Sequence, residues 1–155
     1  MSPPETTRVR LETQLATLPI FIDMLDAEAL TQRPPSGKWS IHENMAHLGR
    51  YHEVFQARMQ RILTEDGPNL GRYRAEDDAA FADWLALLPD DGVKRLHERR
   101  VGLINFVDGL NAEQLARKGV HPVLGEMNVV LWLEFFLLHE AHHLYRILWL
   151  SKTGE

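Results

Sequence analysis

At 155 residues, 45% hydrophobic and 25% charged, the chain has the size and composition of one soluble globular domain spanning residues 1–155, able to bury a continuous core. The absence of cysteine excludes disulfides, thiolate metal ligands and a cysteine nucleophile, and fits a reducing, cytoplasmic setting. A formal net charge of −5 argues against nucleic acid as a partner, since a phosphate-binding surface needs a basic excess.

Arg58, Arg61, Arg72 and Arg74 form a local basic cluster that reads as a solvated helix end and loop. The start, Met1-Ser2-Pro3-Pro4-Glu5, lacks the basic and apolar regions of a secretory signal. The longest apolar stretch, Met127 to Leu138, is interrupted by Asn128 and Glu134 and falls short of the roughly 20 residues a membrane-spanning helix needs.

In chain order, the first helical pattern runs from about Thr6 to Leu25, with Leu11, Leu15, Leu18, Ile22 and Leu25 in steps of four and three. Pro19 is expected to kink it, and Pro34-Pro35-Ser36-Gly37 to end the region. Ser40 followed by Glu43 is a capping box that opens the second helix. Its stripe is Ile41, Met45, Leu48, His52, Phe55, Met59 and Ile62, and Gly67-Pro68 ends it. Ala79 to Leu88 forms a short extra helix in the connection to the third. Asp90 or Asp91 caps the third helix, whose stripe is Val93, Leu96, Arg100, Leu103, Val107 and Leu110. Asn111 caps a short turn through Leu115, and a loop with His121-Pro122 and Gly125 follows. The fourth helix runs from about Asn128 to Ser151, near Gly154, and its first half is apolar nearly all round, as for a helix enclosed by neighbours. No strand pattern stands out. The expected fold is all-α, a four-helix bundle.

The fourth helix carries His139-Glu140-Ala141-His142-His143. His139 and His143 lie one turn apart on one face, so both imidazoles can converge on one metal ion. Burying them among Phe135, Phe136, Leu137, Leu138 and Leu144 is costly unless each ring nitrogen finds a partner. The run also satisfies the H-E-x-x-H pattern of zinc metallopeptidases, with Glu140 in the general-base position. That reading lacks its third ligand, because no histidine follows His143. The ligand must then come from another helix, where the second offers His42, His47 and His52. His42, in the first turn, is expected to face solvent. Periodicity slightly favours His52 over His47 and leaves the choice open.

The stretch Trp39-Ser40-Ile41-His42-Glu43-Asn44-Met45-Ala46-His47-Leu48, with the late His139-x-x-His142-His143 cluster and the Gly119-Val120-His121-Pro122 to Gly125-Glu126 segment, resembles the DinB-like superfamily, which includes damage-inducible and bacillithiol S-transferase-like proteins. The resemblance implies a four-helix bundle binding a divalent metal through three histidines, which fall here on His47, His139 and His143. It also implies an open coordination position, with zinc or nickel as the metal. Some members are thiol-cofactor-dependent transferases or isomerases. The expected activity is therefore metal-assisted activation of water or a low-molecular-weight thiol, for transfer or isomerisation on a small molecule. Any such thiol must come from outside a cysteine-free chain.

Around these positions, Glu43 is one turn from His47 and could orient it, although the capping box already accounts for it. His142 sits about 100° round the helix and reads as packing or outer-shell. Tyr51 and Arg146 lie one turn beyond His47 and His143 and could line a pocket, Arg146 binding an anionic thiol or substrate carboxylate. His52 reads as a satisfied core imidazole or a pocket residue, and His97 and His121 as ordinary surface or loop residues. Two other classes remain: a non-catalytic metal-binding or stress-response protein whose ion fastens the second helix to the fourth, and an interaction module, expected as a homodimer, whose histidines are incidental.

Overall fold

The computed structural model of the protein describes residues 3–155; Met1 and Ser2, which begin the N-terminal stretch considered above, lie outside the described residues. The expected first helix is broken. Helix α1 (Glu5–Thr13) gives way to a single 3₁₀ turn at Leu15–Thr17, then to α2 (Leu18–Ile22) with Pro19 in its first turn. Proline offers no N–H, and its ring collides with the carbonyl four residues back, so the helical ladder is interrupted in the turn before it. At the break the Gln14 side chain turns inward, donating from Nε2 to the Leu137 carbonyl and to a Glu140 carboxylate oxygen, each at 2.9 Å. The short α3 (Ala27–Thr31), capped by Asp26, was not anticipated.

Helix α4 (Ile41–Thr64) opens on the expected box, Ser40 Oγ accepting from the Glu43 N–H and Glu43 from the Ser40 N–H. The short α5 (Ala79–Leu85), capped by Asp78, lies in the connection. Helix α6 (Pro89–Asp108) is capped at Leu88, two or three residues earlier than the expected Asp90 or Asp91. Pro89 takes the first helical position, where a missing N–H costs nothing, and the two aspartates sit in the first turn against the positive end of the helix dipole. Helix α7 (Ala112–Ala116) begins with a reciprocal Asn111–Gln114 box.

The segment expected as loop forms a hairpin, β1 (Lys118–His121) and β2 (Gly125–Asn128), antiparallel with Gly119 opposite Met127. Four-residue strands are too short to show alternation, and this pair is held by its neighbours. The Val120 N–H donates to the Pro68 carbonyl, and the Leu70 N–H to the Val120 carbonyl. Gly119 lies so close to α4 that a Cβ there would meet Ile62 at 2.8 Å. Helix α8 (Val129–Thr153), capped by Asn128, stops at Gly154 in the left-handed conformation. It is not enclosed all round: Leu131 and Leu138 are exposed, with nothing among the described residues covering that face. No helix among the described residues is long and apolar enough to cross a membrane.

The bundle consists of the broken α1–α2 segment, α4, α6 and α8. Its interior is two apolar clusters, one around Phe55, Leu103, Trp132 and Phe136, the other around Leu18, Leu48, Trp84, Leu96 and Ile147. Between them each bundle segment contributes one polar side chain: Gln14, His52, Arg100 and Glu140. Arg100 donates from Nη2 to Glu140 Oε2, from Nη1 to the Leu11 carbonyl at 2.7 Å, and from Nε to His52 Nε2 at 3.1 Å. Burial raises the Glu140 carboxyl, against the opposing pull of Arg100 and Gln14.

Candidate metal centre

Where α4 passes α8, three imidazoles meet. His47 Nε2 lies 3.1 Å from His139 Nε2. The His143 ring centroid is 4.4 Å from that of His47 and 4.7 Å from that of His139. One nitrogen from each ring lies within 4.8 Å of the others, so the three could hold a metal ion. The helical spacing of His139 and His143 supplies one side of this arrangement, and the second turn of α4 supplies the other.

The electrostatics favour a lone-pair donor set. Burial pushes the His47 pKa down to about 4, with Glu76 opposing it. Burial pushes His143 to about 3 and His139 to about 2, the neighbouring imidazoles adding to both effects. All three rings are therefore neutral near pH 7, the form in which imidazole binds metal. His143 Nδ1 donates to Asn44 Oδ1 at 2.8 Å, while Asn44 Nδ2 donates to the Ser40 carbonyl at 2.8 Å. Asn44 thus fixes the tautomer that leaves His143 Nε2 free. The Nδ1 atoms of His47 and His139 are buried without a hydrogen-bond partner among the described residues. Two neutral rings facing nitrogen to nitrogen can share one proton; a cation drawing on both lone pairs satisfies them equally, and His143 adds the third. The residues fit a divalent metal.

The other expected residues fall as follows. Glu43 does not reach His47, being held by the capping box and by Arg33. The orienting role falls instead to Asn44, on His143, which the sequence reading missed and which an asparagine on the buried side of a helix would have signalled. His52 is kept from the site by its own bonds. Its Nδ1–H donates to the Leu48 carbonyl at 2.7 Å and its Nε2 accepts from Arg100. His42 is buried rather than solvent-facing, its Nε2 lying 3.1 Å from the Leu85 carbonyl. Glu140 is 0% exposed and paired with Arg100, so it cannot act as a general base in the H-E-x-x-H sense. His142 is exposed, its ring edge-on to His143.

Two clefts open on the histidines. One, of about 560 Å³, is lined by His47, His139, Tyr51, Tyr73, Arg58 and His121 among others. Tyr51 packs on His139 with ring centroids 4.1 Å apart, and burial raises its hydroxyl pKa. The second, of about 640 Å³, is lined by Asn44, His142, Arg33 and Arg146; Trp39, Glu76 and His143 border both. The basic cluster is not uniformly solvated. Arg61 pairs with Glu65 at the surface, but Arg58 is buried in the first cleft wall. His121, expected as an ordinary loop residue, ends β1 and lines the same cleft.

The buried His52 sets a pH dependence of its own. Burial, reinforced by Arg100, lowers its pKa from 6.5 to about 3. As pH falls below 6.5 the unfolded chain takes up that proton first, so its share of stability is complete above about 6.5 and lost progressively towards 3. In urea titrations of metal-free protein at successive pH values, stability should fall with acidification, and His52→Gln should flatten the slope by up to about 1.4 kcal/mol per pH unit.

A family model, that of the DinB superfamily, matches residues 10–147. A Bacillus cereus (strain ATCC 10987 / NRS 248) protein named "Putative metal-dependent hydrolase" is 28% identical over 132 residues, covering 83% of this chain and 73% of the relative. A Bacillus anthracis (strain CDC 684 / NRRL 3495) protein of the same name matches to the same extent. YfiT from Bacillus subtilis, described as a probable metal-dependent hydrolase with an unusual four-helix bundle topology, superposes with a TM-score of 0.77 at 21% identity, covering 96% of this chain and 85% of that one. At that identity the likeness speaks for the fold.

Proposed function

This chain belongs to the DinB superfamily, and we propose that it is a divalent-metal-dependent enzyme acting on a small molecule, with His47, His139 and His143 as the protein ligands. The observation that carries this is the convergence of three neutral imidazoles, His47 buried and His139 and His143 half-buried, beside an open cleft. Three such ligands suit zinc or nickel and leave coordination positions free. A divalent ion held by these residues would supply Lewis acidity and would let water or a thiol act as nucleophile at neutral pH. Water is the nucleophile that the relatives' name of hydrolase implies. A low-molecular-weight thiol would serve the same site in transfer or isomerisation, and would come from solution because the chain holds no cysteine.

The protein's own groups bind and orient. Asn44 keeps the His143 ring in one tautomer, Trp39 stacks on that ring, and Tyr51 packs against His139 on the cleft side. Purified protein should carry stoichiometric zinc or nickel by plasma mass spectrometry, and Asn44→Ala should weaken metal affinity by about 10–100-fold. Turnover of ester, amide or electrophilic substrates, with and without added thiol, should vanish on chelation and return with the metal. Protein that stays metal-free when zinc and nickel are supplied overturns the reading. Metal without turnover of any of these substrates would make the ion a fastener between α4 and α8.

A further inference from the structure

Arg58 is a buried cation without a counter-ion. It is 9% exposed, and no carboxylate among the described residues lies within ion-pair distance of it. The other buried arginine, Arg100, has Glu140. An uncompensated charge away from water is costly, and a protein retains one where something arrives to neutralise it. Arg58 donates from Nη1 to the Tyr51 hydroxyl at 3.2 Å and from Nη2 to the Gly71 carbonyl at 2.5 Å. A guanidinium has five N–H donors, so these bonds hold the group in place and leave donors for a ligand.

Its neighbours carry the same sign. Arg72 lines the cleft and has no carboxylate partner among the described residues. His121 Nδ1 accepts from the Val123 and Leu124 N–H groups at 3.1 and 3.0 Å, so the neutral ring carries its hydrogen on Nε2 as a further donor. Arg58, Arg72 and His121 line the one cleft, and burial lowers the His121 pKa, with the charges of Arg58 and Arg72 lowering it further. The cleft's one carboxylate, Glu76, acts on His47. This concentration of positive charge stands in a chain of net charge −5. The Tyr51 ring links it to the histidines: its centroid is 5.9 Å from Arg58 Cζ and 4.1 Å from the His139 ring centroid.

We infer that Arg58, with Arg72 and His121, forms an oxyanion-binding subsite, and that the substrate is a small molecule whose carboxylate or phosphate lies a few bonds from its reacting centre. The subsite stands on Arg58 itself; only the placing of the reacting centre rests on the proposed metal site. The test is calorimetric titration of zinc-treated protein with inorganic phosphate and, separately, with succinate. Wild type should bind at least one of them, and the arm that binds assigns the group. Arg58→Gln should weaken binding by about tenfold or more, with zinc content unchanged. Arg72→Gln, at an exposed position that cannot disturb the core, should weaken it by a few-fold and decides the matter if Arg58→Gln does not fold. No binding in either arm, or equal affinity in wild type and both variants, overturns the subsite; with zinc retained, the metal centre survives. Anion binding that depends on Arg58 and Arg72 in protein that takes up neither zinc nor nickel when supplied would keep the subsite and remove the metal centre.

Discussion

His139→Ala should abolish stoichiometric metal binding, His47→Ala and His143→Ala should do the same, and His52→Ala should retain it. Each of the first three removes one of the three imidazole nitrogens that, among the described residues, meet between α4 and α8. Loss of an outer-shell contact to a ligand already costs about 10–100-fold in affinity, and loss of the ligand itself must cost more. His52 spends both ring nitrogens on Leu48 and Arg100. Its removal lowers stability without touching the histidine cluster. Metal analysis after dialysis, with circular dichroism to verify the helices, separates these outcomes. Metal kept by His47→Ala and lost by His52→Ala would invert the assignment.

Glu140→Ala should lower the melting temperature sharply, by about 6–20 °C, equivalent to about 3–5 kcal/mol, because it strands Arg100 in the interior without its acceptor. The loss belongs to the unpaired cation rather than to a missing attraction. The double variant Glu140→Leu with Arg100→Met should therefore recover most of it, since a well-packed apolar pair often does as well as a buried ionic one. Thermal unfolding of the single and double variants tests this; a double variant no more stable than Glu140→Ala alone would refute it.

Local chemistry was legible where a residue acts on its own backbone neighbourhood. The Ser40–Glu43 box, the Asn111 cap and the one-turn spacing of His139 and His143 all appear as read. What escaped depends on partners far along the chain. The hairpin at residues 118–128 is secured by Pro68 and Leu70 and by the room Gly119 leaves for Ile62, none of which a short window contains. Periodicity put His52 on the core stripe correctly, but a core position can hold a satisfied imidazole as readily as a ligand, and Arg100 makes it the former. His47, on the stripe's flank, had the access. In sequence Arg58 reads, with Arg61, Arg72 and Arg74, as part of a solvated helix end and loop. The wall of Tyr51, Gly71 and Trp132 around it exists only after folding.

The polar layer across the bundle has a mechanical consequence. Sliding α8 along its axis by one turn, about 5.4 Å, would bring Phe136 or Leu144 opposite the Arg100 guanidinium and leave that cation facing hydrocarbon. Two greasy surfaces alone would tolerate many such offsets at similar energy. The Arg100–Glu140 pair works as a key cut for one alignment, the same alignment in which His139 and His143 come level with His47.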